Sequence, residues 1–221
     1  MNVLKMTNSI KTKIKRVPKN AVYELERIND IIDNNFICHV GFIHNSSPVV
    51  IPTMYGRKEN FIFIHGASVS RLIKNLEKGV EICIAITKVK ALVLARSAFN
   101  HTLNYESVVF FGKGNLVAES DKLGSLKVIS DHVLKHRWEE VRMPNQKELK
   151  ATKVIRIEID ESSAKVRSGD PQDSKSDYSL DVWAGVLPIS NNFEAPIADA
   201  QLKKNIGLPK SIEILFGNGK Q

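Results

Sequence analysis

Cysteine is scarce, with only Cys38 and Cys83 in 221 residues. Neither belongs to a paired-cysteine zinc spacing. Both sit in strand-like apolar runs, so they read as buried thiols of a reducing compartment. No apolar run approaches the roughly 20 residues that a membrane-spanning helix needs. The six histidines form no metal-binding helix pattern, and no Ser-His-Asp or Cys-His arrangement stands out. Internal repeats are absent. So is the strand–helix alternation of a doubly wound parallel sheet. These gaps exclude a membrane span, a zinc module and a Rossmann domain.

Acid is also missing where base is concentrated. Lys5, Lys11, Lys13, Lys15, Arg16 and Lys19 precede residue 20 and no Asp or Glu does, leaving 26 basic against 24 acidic residues elsewhere. The net charge of +8 therefore belongs to an N-terminal arm, not to a patch on a folded body, and nucleic acid is not expected as a partner. The arm, residues 1–15, reads as a solvated and partly disordered segment. An organellar signal or a nuclear, nucleic-acid contact is the alternative to a plain cytoplasmic protein. It lacks the apolar core of a secretory signal.

What is present is one medium domain's worth of chain with ordinary composition, 43% hydrophobic and 25% charged, enough to bury a sizeable core. Val22 to Asn34 carries a helical period, with Leu25, Ile28, Ile31 and Ile32 on one side. Then the period changes to that of strands: Phe36 to Ile43, Val49 to Tyr55 and Phe61 to His65, joined by Asn45-Ser46-Ser47-Pro48 and Gly56 to Asn60. The short links predict an antiparallel three-strand meander. A short helix from Val69 to Lys78 ends at Gly79. Val80 to Ala85, Ala91 to Ser97 and Ser107 to Val117 read as strands, and Asp121 to His136 as the longest helix. Strands return at Lys153 to Ile159, around Ala164 to Val166, and at Trp183 to Pro188 after a polar loop at 168–179. The sum is a mainly β, α+β domain: a small antiparallel barrel over residues 16–190 with a few peripheral helices, followed by a weakly patterned extension at 191–221.

The segment His65-Gly66-Ala67-Ser68-Val69-Ser70-Arg71-Leu72-Ile73-Lys74 has the make-up of a phosphate cradle. Small residues let the backbone approach a ligand, Ser68 and Ser70 offer hydroxyls, and the helix start exposes N–H groups. Arg71 supplies a planar fork and Lys74 a second cation on the same face. A capped helix with a solvated basic face would look the same. His65 is either a structural strand-end residue or a group beside a bound ring or phosphate.

Read together, several stretches resemble one family. They include Val17-Pro18-Lys19, Cys38-His39-Val40-Gly41-Phe42, Ile51-Pro52-Thr53-Met54-Tyr55, His65-Gly66-Ala67 and Val93-Leu94-Ala95-Arg96-Ser97-Ala98-Phe99. Asn104-Tyr105, Ser107-Val108-Val109, Ser163-Ala164-Lys165-Val166-Arg167 and Trp183-Ala184-Gly185-Val186-Leu187-Pro188 follow in order. Over residues 16–190 the chain resembles the flavin-nucleotide-binding, pyridoxamine 5'-phosphate oxidase-like proteins. The resemblance implies a split β-barrel homodimer with FMN at the subunit interface. Val50, Ile51, Pro52 and Thr53 would run along the isoalloxazine. His65, Gly66, Ser68, Ser70, Arg71 and Lys74 would hold ribityl and phosphate, Ser107 would reach the ring, and Trp183 would approach the cofactor from the partner. Glu106 stands where the family pattern has Arg. The arginine–histidine segment of genuine pyridoxamine phosphate oxidases is missing, so that activity is not expected. The readings are then an FMN-dependent oxidoreductase of unknown substrate, with no catalytic side chain assigned, or a non-catalytic module for FMN or another phosphorylated cofactor.

Overall fold

The computed structural model describes residues 10–159 and 161–217. Part of the basic arm, residues 1–9, lies outside them, as do the last residues of the extension. Ten strands form one antiparallel sheet: β1 (Ala21–Val22), β2 (Ile37–His44), β3 (Ser47–Met54), β4 (Gly56–Lys58), β5 (Phe61–Ala67), β6 (Glu81–Leu94), β7 (Thr102–Leu116), β8 (Thr152–Glu158), β9 (Glu161–Arg167) and β10 (Gly185–Pro188). The main path runs β3-β2-β6-β7-β8-β5-β4, with β9 on β7 and β1, and β10 on β6. The path does not close on itself, so the barrel is split. Around it lie α1 (Leu25–Asp33), α2 (Arg71–Leu76), α3 (Glu119–Val133), α4 (Gln146–Ala151) and α5 (Lys210–Gly217).

The β2–β3 hairpin turns on two residues, Asn45 and Ser46, both in the left-handed region (φ 49° and 61°). Asn tolerates that region best, and such a turn matches the strand twist. The predicted meander does not continue. Among the described residues β3 pairs with β2 alone, while β4 pairs with β5 at the opposite end of the sheet. Tyr55 is the reason. Its buried hydroxyl donates to the carbonyls of Ile32 (2.6 Å) and Asn35 (2.8 Å) below α1, pulling the chain across the barrel end before the next hairpin starts. β3 is thus left as an edge strand, and it carries Pro48 and Pro52, residues that sheets tolerate at edges.

The two strands predicted at Val80–Ala85 and Ala91–Ser97 are one 14-residue strand, β6, with a register shift between Val89 and Ala91. Its partner β7 holds the two halves of the barrel together. It pairs with β9 from Tyr105 to Phe111 and with β8 from Gly114 to Leu116. At the switch, a Cβ on Gly112 would sit 2.3 Å from the Glu158 carbonyl oxygen, and one on Gly114 would sit 2.4 Å from that of Leu76. Only glycine lets the strands and α2 approach this closely.

One core fills the barrel, built from Ile28, Ile31 and Ile32 of α1, Leu72, Ile73 and Leu76 of α2 and inward residues of the strands. A smaller cluster, Phe63, Ile129 and Val154, sits between the outer face of the sheet and α3. Glu106 faces inward, opposite Ser107, and forms ion pairs with Arg27 of α1 and with Lys90 at 3.8 Å. Its charge is neutralised within the chain. Lys11 of the arm pairs with Glu81 and lies 5.7 Å from the Phe111 ring centre. None of the described helices is long and apolar enough to cross a membrane.

Candidate functional site

β5 has two apolar faces. Ile62 and Ile64 point into the barrel, and so does Gly66, where a Cβ would meet Ile73 at 3.0 Å. Phe61 and Phe63 point the other way, toward α3. His65 shares that outward face. It lines a cavity of about 420 Å3 walled by Met54, by Leu126, Ile129 and Val133 of α3 and by Leu134 just after the helix, with Trp138 beyond. Leu126, Ile129 and Val133 recur at helical spacing, so one stripe of α3 forms the wall. The wall is mainly apolar, with Ser130 and Arg137 as its polar members.

The Nδ1 of His65 is buried, without a hydrogen-bond partner among the described residues. Burial holds the imidazole below its ordinary range, so it is neutral near pH 7. A buried polar atom that nothing in the chain satisfies calls for an explanation.

Arg71 and Lys74 lie elsewhere. They line a surface hollow of about 470 Å3 with His44, Asn75 and Lys78. Ser70 caps α2, its hydroxyl accepting from the Ile73 N–H at 3.3 Å, so that oxygen is committed to the helix. α2 spans only six residues, too short for a large dipole, and the attraction for an anion comes from side chains. Arg71, Lys74 and Lys78 share one face, and none of the three has an ion pair or side-chain hydrogen bond among the described residues. Asn75 is buried beneath them, donating to the Arg71 carbonyl at 2.8 Å and meeting His44 Nδ1 at 3.1 Å. Ser68 donates its backbone N–H to Ala151.

β3 joins the two places. Met54, at its end, borders the His65 cavity. Ser47, at its start, pairs with His44, which borders the cationic hollow. The strand between them spans roughly 23 Å. Val50 is 64% exposed and Pro52 is exposed, on the same side as Met54, while Ile51 packs toward the core. Thr53 donates its hydroxyl to the Met54 carbonyl at 3.3 Å. The free edge of β3 offers backbone groups to a ligand over this length.

Ser107 and Trp183 do not join them within one chain. Ser107 Oγ donates to the Lys165 carbonyl at 3.4 Å on the outward face of β7. Trp183, 69% exposed, lies against Gly185 where β10 meets the end of β6. A larger cavity of about 590 Å3 on the other side of α3 holds none of the predicted residues. Its charges are largely matched in place, Arg57 with Asp33 and Lys127 with Asp131 and Glu139. Among the described residues no group of three or more His, Cys, Asp or Glu could hold a metal ion. The sequence reading missed Met54 and the α3 stripe; the double apolar face of Phe61-Ile62-Phe63-Ile64 was the signal that a helix must cover β5 from outside.

No curated protein gives a significant match to the chain. Among solved structures it is similar to the flavocytochrome Anf3 from Azotobacter vinelandii, at 35% identity and a TM-score of 0.88, covering 93% of this chain and 96% of that one. It is similar also to the FAD and heme binding protein from Mycobacterium smegmatis, at 29% identity and a TM-score of 0.86, covering 89% and 97%. Residues 24–166 match the pyridoxamine 5'-phosphate oxidase family. The chain, a split barrel with a free β3 edge, belongs to that family of flavin-binding proteins.

Proposed function

We propose that the protein is a flavin-dependent oxidoreductase that binds its cofactor along the free edge of β3, as a homodimer. The carrying observation is the arrangement around that edge: an apolar cavity at the Met54 end and an unpaired cationic cluster, Arg71 and Lys74, at the other. The apolar end suits the ring system, and the edge N–H and C=O groups suit its polar rim. The cations suit the phosphate. Ser107 and Trp183 would complete the site across the dimer. A bound flavin supplies hydride and single-electron chemistry. The chain's own part is to bind, orient and exclude water, and no nucleophile is required of it. FMN is the expected flavin; FAD, named for the Mycobacterium smegmatis protein, is the longer alternative for so long an edge.

Purification without added cofactor, a visible spectrum and mass spectrometry of the released ligand test this. A yellow protein releasing FMN or FAD supports it, and a colourless protein that takes up neither flavin removes it. Anaerobic reduction by NADH or NADPH then separates an enzyme from a non-catalytic flavin carrier, which no reductant would bleach.

Haem is the alternative occupant of that same cavity, in place of the flavin ring. Two similar structures are a flavocytochrome and a FAD and heme binding protein. His65 lines this apolar cavity, and a neutral imidazole there would suit a haem iron as its protein ligand, while Arg137 at the wall suits a carboxylate. Titration with ferric haem should give a Soret band that His65→Ala shifts or abolishes. An identical spectrum in that variant would remove His65 as the ligand.

A further inference from the structure

The cavity of about 590 Å3 on the other side of α3 does not cancel all of its own charge. Arg57 is committed within the chain, its Nε donating to the Asp33 carboxylate at 2.6 Å and its Nη1 to the Glu59 carbonyl. Lys127 is committed twice, to Asp131 at 2.6 Å and to Glu139. Lys58 and Lys135 line the same space, are exposed, and have no ion pair or side-chain hydrogen bond among the described residues. Two unpaired ammoniums thus border one concave space, beside a single ammonium shared by two carboxylates.

The walls of this cavity are fixed by the fold itself. Lys58 ends β4, Asp131 lies on α3, and Lys135 follows the end of that helix. A Cβ on Gly56 of β4 would lie 2.6 Å from the Ile129 Cα, so strand and helix meet backbone to backbone. His132, between them, is held by the Asn35 carbonyl at 2.7 Å and by the Arg57 N–H at 3.4 Å. At the rim His136 takes a left-handed backbone, φ 69°, which turns the chain after α3. Rigid walls keep the ordering cost of binding low. The volume falls within the roughly 300–1,000 Å3 of small-molecule sites.

We infer that this cavity binds a small hydroxylated phosphate monoester, a molecule of the sugar-phosphate class, with Lys58 and Lys135 on the phosphate and Glu139 on a hydroxyl. A phosphate monoester carries nearly two negative charges at neutral pH, which two ammoniums match and a single carboxylate would not. The Glu139 side chain is 55% exposed, and a carboxylate only accepts hydrogen bonds, so the body of the ligand beside it must donate. Asp131 and Glu139 would repel a chain of phosphates, which restricts the ligand to one phosphate on a neutral polar body. No residue of the β3 groove lines this cavity, so the inference stands apart from the flavin reading.

Calorimetric titration of the full chain with glucose 6-phosphate, inorganic phosphate and glucose at low ionic strength tests this. Glucose 6-phosphate should bind about tenfold more tightly than inorganic phosphate or better, and glucose not measurably. Lys58→Gln with Lys135→Gln should weaken glucose 6-phosphate by about tenfold or more, through the loss of charge-assisted hydrogen bonds. Both lysines are exposed and unpaired, so the unfolding temperature of that variant without ligand should equal that of the wild type. Glu139→Ala should erase the preference over inorganic phosphate. Arg71→Gln with Lys74→Gln is the control, because that hollow also attracts phosphate, and it should bind glucose 6-phosphate as the wild type does. No binding of glucose 6-phosphate overturns the inference, as does binding that the control loses and the Lys58, Lys135 variant keeps. Equal affinity for the ester and for inorganic phosphate overturns the assignment to sugar phosphates. A protein that takes up no flavin yet binds glucose 6-phosphate in this way supports the site and removes the flavin reading.

Discussion

His65 and Arg71, six residues apart, face different spaces, and each makes its own demand. His65 lines an apolar cavity and leaves a buried nitrogen unsatisfied, whereas Arg71 leaves a guanidinium unpaired at the surface. A charge-assisted hydrogen bond contributes about 1.5–3 kcal/mol, so Arg71→Ala should weaken flavin binding by about that much, read from quenching of flavin fluorescence. Unchanged affinity would take Arg71 out of the site. The sequence made both residues conspicuous because it set them beside glycine and serine after a strand. It could not separate them, since strand alternation decides the direction of His65 while helix phase decides that of Arg71. Ser68 and Ser70 both offer themselves as a cap in the sequence, and the fold uses Ser70.

At the scale of elements, most strands could be read from their apolar alternation, and the boundaries of β2, β5 and β8 fall within a residue or two of those expected. The partners could not be read. β3 and β5 look like neighbours in a meander until Tyr55 is seen to anchor under α1, a contact spanning more than twenty residues. β6 was split in two because Lys88 and Lys90 interrupt its apolar pattern at the bulge. α4 was missed although Asn145 and Glu148 form a capping box, a signal visible in the sequence. The glycine at the switch of β7 invites a direct check. Gly114→Ala would drive a methyl group into the Leu76 carbonyl oxygen, backbone that cannot turn aside. The cost should be about 1–3 kcal/mol, measured by denaturant unfolding; a loss within error would mean that α2 is free to shift.

For the whole molecule, burial lowers the proton affinity of two imidazoles, His65 and His132. His132 is fixed as well as buried: Nε2 bonds to the Asn35 carbonyl at 2.7 Å, and Nδ1 accepts the Arg57 N–H at 3.4 Å. The unfolded chain therefore binds protons that the folded chain refuses. Stability should be complete above about pH 6.5 and fall as the pH drops below it. Unfolding free energies measured between pH 5 and 7 should show this slope, and His65→Asn should flatten it. An unaltered slope would assign the effect to His132 alone. The fold class was legible because hydrophobic period alone limits the choice of architecture. The full site was not, because hydrophobic period does not fix distances, and within the chain Ser107 and Trp183 lie away from the β3 edge.

The prolines of β3 have a consequence for how the protein behaves in concentrated solution. An open strand edge normally recruits further strands and seeds aggregates. Pro48 and Pro52 lack the amide hydrogen that such growth requires, so the edge can receive a small ligand while refusing a strand. Pro48→Thr, distant from the His65 cavity, should raise light scattering during storage at high concentration without lowering the unfolding temperature. A reading equal to that of the wild type would mean that solubility is guarded elsewhere.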